Sequence, residues 1–200
     1  MRLSRFYPVM PDAVWVTRVV GLGARMVQLR AKGFTPDILR DQALRAQEIC
    51  DRAGAELVLN DHWKLAIDLG IKAVHLGQED MATADFTAIR RASIAFGLST
   101  HDEAELDRAL SHDPAYIALG PIYETRLKVM PWAPQGLEKL TRWKAAVGSK
   151  PLVAIGGLTP ERLPGVFAAG ADVAAVVTDL VTAEDAAGRV AEWRGACDAL

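Results

Sequence analysis

The stretch Val27–Gly33, VQLRAKG, alternates apolar Val27, Leu29 and Ala31 with polar Gln28, Arg30 and Lys32. A period of two is strand periodicity, with one apolar face and one long polar face. On an open antiparallel sheet such a polar face would look at water. The neighbouring runs do not read that way. RFYPVM (5–10), MVQLR (26–30), ELVLN (56–60), AVHLG (73–77), SIAFGLS (93–99), YIALGP (116–121), PLVAIGG (151–157) and DVAAVVT (172–178) are mostly apolar throughout, as strands covered on both faces are. Helical patterns alternate with them, over 36–53, 103–111, 135–147 and 183–198. Eight strands alternating with helices predict a parallel sheet, since parallel neighbours need a crossover. The count points to a single (β/α)8 TIM barrel over residues 1–200, small and with few insertions. A doubly wound open sheet is the alternative, but no G-x-G-x-x-G follows the first strand.

Half of the 200 residues are apolar and the net charge is −2. No basic field marks a nucleic-acid partner. No apolar run is long enough to span a membrane, and the first twelve residues lack a signal-peptide core. Cys50 and Cys197 match no zinc or redox spacing, which fits a reduced, cytoplasmic protein. Oligomeric state, a homo-oligomer included, is left open.

In a barrel, alternate strand residues point inward, and those nearest the C-terminal ends can meet a ligand. Gln28, Arg30 and Lys32 then share the interior face. A buried ion-pair cluster or a solvated strand end is the competing reading. The other strand ends favour a ligand site. Asn60 and Asp61 leave the third strand and Asp80 follows the fourth. Neighbouring strands run about 4.8 Å apart, so the two carboxylates could share one Mg2+, which keeps waters and takes phosphate oxygens. Asp61 could instead cap the helix before HWKLAI, and Asp80 could start the helix near MATADF. Ser99, Thr100 and Asp102 after the fifth strand are all plausible caps. Thr125, Arg126 and Lys128 after the sixth suit a loop closing over an anion. Gly156 and Gly157 permit close backbone approach, with a helix starting near Thr159-Pro160, and Thr178 follows the eighth strand. Loops seven and eight commonly hold a phosphate in this fold. His75 reads as a histidine packed in a barrel layer, His101 as a mouth or solvent residue. Two anion sites result, one fit for a diphosphate and one for a monophosphate.

VQLRAK, LNDHWKLAI, AVHLGQED, GLSTHDEAEL, YIALGPIYET, MPWAPQGLE and VAIGGLTPER resemble, in order and spacing, the segments of the thiamine phosphate synthase family over essentially the whole chain. The resemblance implies a barrel that joins hydroxymethylpyrimidine diphosphate to a thiazole phosphate, releasing pyrophosphate. It implies that Gln28, Leu29, Arg30, Ala31 and Lys32, with Asn60, Ser99 and Lys128, bind the pyrimidine diphosphate. It gives Asp61 and Asp80 as ligands of one Mg2+. It implies a thiazole-phosphate site at Thr125, Gly157, Val177 and Thr178, to which Arg126 and Leu127 of the same loop are added as further contacts. Arg30, Lys32 and Lys128 would stabilise the leaving diphosphate. Leu127 stands where the family usually has a second threonine, Thr178 where serine is usual, and Tyr123-Glu124 replaces a common Phe-Pro pair. Two other readings are a thiazole tautomerase, which would lean on a histidine such as His101, and a non-catalytic ligand-binding paralogue, favoured only by Leu127.

Overall fold

A computed structural model describes residues 1–125 and 133–199. Its eight strands are β1 (Phe6–Met10), β2 (Met26–Leu29), β3 (Glu56–Asn60), β4 (Ala73–Leu76), β5 (Ala95–Thr100), β6 (Tyr116–Leu119), β7 (Leu152–Ile155) and β8 (Val173–Val176). They pair in parallel in chain order, and β8 returns to β1 to close the barrel. Among the described residues ten α-helices follow. They are α1 (Ala13–Gly21), α2 (Pro36–Ala53), α3 (Trp63–Leu69), α4 (Gln78–Thr83), α5 (Phe86–Arg91), α6 (Glu103–Ser111), α7 (Gly136–Val147), α8 (Leu163–Ala168), α9 (Thr178–Val181) and α10 (Ala186–Asp198).

Local chemistry sets the helix ends. In α2 the Thr35 side chain accepts from the Ile38 amide, Pro36 occupies the first turn, and Gly54 at φ 63° stops the helix in the left-handed region. Each is the residue type that its position favours. The helix buries Leu39, Ala43, Ala46 and Cys50, a helical spacing that lays one stripe on the barrel. Burying a leucine such as Leu39 contributes about 1.5–3 kcal/mol. Asp102 caps α6 by accepting from the Glu105 amide at 2.8 Å. That cap leaves Ser99 and Thr100 to other partners.

The core divides as the strand pleat requires. Residues facing outward, such as Val27, Leu29, Leu59, Val74, Leu76 and Leu98, pack with the helices. Inward residues Tyr7, Val9, Met26, Val58, Ala73, Tyr116, Ala118, Val153, Val173 and Ala175 fill the barrel. The register carries Gln28 beside Val9 and Val58, and Asn60 beside His75, then Gly97 and Tyr116. Polar side chains therefore cap the apolar filling at the C-terminal end, where TIM barrels place their chemistry. Hydrogen bonds pin the outer helices beside this end. Trp143 of α7 donates to the Thr100 hydroxyl at 2.9 Å, and Trp193 of α10 donates to the Asp179 carboxylate at 2.6 Å.

Candidate active site

Gln28 is buried on the inward face of β2 and donates to the Tyr7 hydroxyl at 2.9 Å. Leu29 and Ala31 face the opposite way, into the outer core. Only their backbone is placed to meet a ligand at the mouth. Arg30 follows the strand with its amide held by the Met10 carbonyl at 2.8 Å, and its side chain is exposed. Lys32 lies one step farther and forms an ion pair with Asp61.

Asp61 does not cap α3. That helix starts from His62 with no side-chain cap bond. Asp61 instead stands at φ 64°, a region that non-glycine residues seldom enter and that Asp tolerates better than most. Its amide donates to the His75 carbonyl at 2.8 Å, which ties the end of β3 to β4. Asp80 does stand at the start of a helix that runs into MATADF, as its sequence position suggests. It lies in the first turn of α4, and Asp85 caps the next helix by accepting from the Ala88 amide. The two carboxyls lie close enough for each to shift the other's ionisation.

Their electrostatics diverge. Burial opposes ionisation of Asp61, but the hydrogen bonds from Lys32 and Asp80 and the nearby Lys32 charge outweigh it. Its carboxyl is held below the usual range. Asp80 is pushed up, first by burial, then by the hydrogen bond to Asp61 and that neighbour's charge. Asp61 therefore ionises more readily than Asp80, and together they place negative charge at the ends of β3 and β4 that would attract a cation. A pair of carboxylates that leaves the remaining ligand positions to water and phosphate oxygens suits Mg2+. Among the described residues no group of three or more His, Cys, Asp or Glu is arranged for a metal, so this pair would rely on water and substrate for its remaining ligands.

Beneath the mouth lies a feature that the strand-end reading did not anticipate. Tyr7 and Tyr116 hydroxyls meet at 3.1 Å, Tyr116 reaches His75 Nδ1 at 2.9 Å, and His75 Nε2 reaches the Ser99 hydroxyl at 2.8 Å. The Tyr7 and Tyr116 positions, on the same alternate-residue face as Val9 and Ala118, were the available signal. His75 is a barrel-layer residue, as its position on β4 suggests. Burial lowers its pKa to about 4, Asp61 opposing and Arg30 adding to the shift, so it is neutral near pH 7.

At the other side of the mouth, Gly157 has φ 65°, and a Cβ there would meet the Glu124 carbonyl oxygen at 2.5 Å and the Tyr123 Cβ at 2.8 Å. Glycine is needed for the close passage of the loops after β6 and β7. A 3-10 turn over Pro160–Arg162 precedes α8 there. Val177 and Thr178 open α9, which Arg189 of α10 anchors through two hydrogen bonds to Asp179 at 2.8 and 3.0 Å. Thr125 is half-buried at the exit of the loop after β6. Arg126, Leu127 and Lys128 lie outside the described residues. His101 is tied to Glu105 at 2.8 Å, and its carbonyl accepts from Lys139 at 2.7 Å.

The buried polar groups and the charged pair gather at the end of the barrel where this architecture keeps catalysis, so by class the protein is a TIM-barrel enzyme. The family model described as thiamine monophosphate synthase matches residues 8–180. A thiamine-phosphate synthase of Rhizobium etli is 51% identical over 196 residues, covering 98% of this chain and 96% of that protein. One of Neisseria meningitidis serogroup A is 49% identical over 173 residues, covering 86% and 84%. Among solved structures, a thiamine phosphate pyrophosphorylase from Pyrococcus furiosus superposes with a TM-score of 0.86 at 23% identity, covering 98% of this chain and 96% of that one. That last likeness speaks to the fold alone. The chain belongs to the thiamine monophosphate synthase family, and its activity is that of a transferase making thiamine phosphate.

Proposed function

We propose that the mouth residues divide the reaction between two subsites. Gln28, Asn60 and Ser99 hold the pyrimidine, with the backbone of Leu29 and Ala31 beside it. Arg30, Lys32 and Lys128 grip the diphosphate. Thr125, Arg126, Leu127, Gly157, Val177 and Thr178 frame the thiazole phosphate. The observation that carries this reading is the Lys32–Asp61–Asp80 cluster at the same end of the barrel as buried Gln28 and half-buried Ser99. It sets a charged patch next to a polar, ring-sized floor.

In the reaction the bond between the pyrimidine CH2 and the diphosphate oxygen breaks, and both electrons leave with pyrophosphate. The carbon becomes a cation delocalised over the ring. The thiazole nitrogen then gives its lone pair to that carbon, forming thiamine phosphate. Arg30, Lys32 and Lys128 counter the charge that grows on the leaving oxygens, a preorganised electrostatic effect. Asp61 and Asp80 would hold Mg2+, which when bound supplies further positive charge to the diphosphate. The remaining residues align the nucleophile and keep out water, which would capture the cation. Little proton transfer is required, consistent with a neutral His75 committed to internal hydrogen bonds.

We place the enzyme in the cytoplasm as a single barrel unit over residues 1–200, without a nucleic-acid or membrane partner. Support comes from the buried free thiols Cys50 and Cys197, both raised to about 12. Among the described residues no helix is long and apolar enough to cross a membrane. The test is pyrophosphate release with both substrates and Mg2+, against controls lacking either substrate. Release that needs only the pyrimidine would overturn the coupled reaction, and equal rates in Arg30→Ala would overturn the diphosphate subsite.

A further inference from the structure

Five side chains from five strands form one hydrogen-bonded chain under the mouth: Gln28 on β2, Tyr7 on β1, Tyr116 on β6, His75 on β4 and Ser99 on β5. Its three central members are buried in the barrel. Only its ends, Gln28 and Ser99, belong to the pyrimidine subsite proposed above. The middle has no role in that mechanism, yet it sets three polar side chains where apolar ones would fill the same space.

The direction of each bond follows from counting protons. Each tyrosine hydroxyl has one proton to give. Gln28 Nε2 can only donate, so the Tyr7 oxygen accepts from it. The Tyr7 proton then goes to Tyr116, and the Tyr116 proton to His75 Nδ1. A neutral imidazole that accepts at Nδ1 carries its proton at Nε2, so His75 donates to the Ser99 oxygen. Ser99 is left with its own proton to offer outward. At the far end Gln28 keeps its carboxamide oxygen, which has no partner among the described residues. The ends are therefore coupled. One presents an acceptor and the other a donor, and neither can change without reversing every bond between them. Arg30 and Lys32 follow the end of β2, and cations on that side favour the sense that turns the carboxamide oxygen outward.

We propose that Tyr7, Tyr116 and His75 are positioning residues that select the heterocycle by hydrogen-bond polarity. They hold Gln28 as acceptor and Ser99 as donor, on β2 and β5, which stand three strands apart around the mouth. The ligand this fits is a flat ring with an amino group on one edge and an unprotonated ring nitrogen on the other. An oxo ring, with a carbonyl in place of the amine and N–H in place of the bare nitrogen, meets an acceptor with an acceptor and a donor with a donor. A site whose buried polar groups are left unpaired rejects a ligand far more strongly than one that merely loses a van der Waals contact. The proposal rests on the pyrimidine reading of Gln28 and Ser99.

The test measures kcat/KM by pyrophosphate release for the aminopyrimidine diphosphate and for its oxo counterpart, at saturating thiazole phosphate. Wild type should prefer the amino compound. Tyr116→Phe, which keeps the ring and removes the hydroxyl, should reduce that preference about tenfold or more while leaving KM for thiazole phosphate unchanged. Tyr7→Phe should act in the same direction and serves if the first variant does not fold. A preference unchanged in a folded variant, or an equal loss with both pyrimidines, overturns the proposal. A wild-type enzyme that uses neither pyrimidine overturns the pyrimidine reading instead. A second measurement needs no variant: 15N NMR of the imidazole should show His75 protonated at Nε2 and bare at Nδ1, and the opposite tautomer overturns the assigned sense.

Discussion

The ring of Tyr116 lies over the backbone of its register partner Gly97, so closely that a Cβ on that glycine would fall well under 3.0 Å from three ring carbons. The same ring stacks on His75 with centroids 5.6 Å apart. The absence of one side chain on β5 makes room for the aromatic that links His75 to Tyr7. Gly97→Ala should cost about 1–3 kcal/mol, the usual scale of overpacking a filled core. Urea unfolding measures it, and a midpoint equal to wild type would show that the ring moves aside freely.

Metal dependence should follow the carboxylate pair. Turnover should require Mg2+ or Mn2+ and disappear with chelator. Asp61→Asn and Asp80→Asn should each lower kcat by at least about a hundredfold, the scale of losing a main electrostatic contact to the transition state. Asn suits position 61 because it tolerates the left-handed backbone there. Full activity in excess chelator would remove the metal from the mechanism.

Arg30 and Lys128 should behave as leaving-group contacts. Charge grows on the diphosphate only as its bond breaks, so Arg30→Ala and Lys128→Ala should lower kcat more than they raise KM for thiazole phosphate. Steady-state kinetics in both substrates separate the two effects. A raised thiazole-phosphate KM at equal kcat would move these cations to the other subsite.

Leu127 cannot donate the hydrogen bond that the family's usual threonine offers. Such a bond to a charged group contributes about 1.5–3 kcal/mol, but a guanidinium binds phosphate well and Arg126 is adjacent. Leu127→Thr should leave kcat nearly unchanged and lower KM for thiazole phosphate modestly. The same change should help more in an Arg126→Ala background. An inert Arg126→Ala, combined with activity appearing only in Leu127→Thr, would mark a chain that binds without catalysing.

Buried neutral His75 should make the fold acid-sensitive. Its pKa falls from 6.5 to about 4 through burial, so between those values the unfolded chain binds a proton that the folded chain refuses. Stability is full above the unfolded pKa and declines as pH drops through this window. The decline should reach about 2–3 kcal/mol from pH 7 to pH 4 on the scale of 1.36 kcal/mol per unit. Unfolding curves at the two pH values should differ less in His75→Gln. An equal difference in wild type and variant would assign the acid sensitivity elsewhere.

The rhythm of strands and helices was legible because both faces of a barrel strand are covered, which leaves continuous apolar runs. α2 and α6 were legible to the residue, since Thr35, Pro36 and Gly54 bracket one and Asp102 caps the other. The helix at Ala13–Gly21 was not assigned, because Val14, Val16, Val19 and Val20 favour strands and only packing against α2 overrides that preference. Charged mouth residues could be found from strand ends alone. Tyr7 and Tyr116 could not, since their hydroxyls acquire partners only when closure of the ring brings β1 and β6 within reach through its interior, 109 residues apart in the chain.

Closure itself carries a cost during synthesis. Phe6, Tyr7 and Pro8 pair with Ala174, Ala175 and Val176 of the last strand. Until that late segment leaves the ribosome, a growing sheet has two raw edges, one at its oldest strand and one at its newest. Unpaired edges recruit other chains, and contacts so distant in sequence form slowly. A nascent chain stalled before β8 is thus the aggregation-prone species of this protein, whereas the finished ring offers no edge to join.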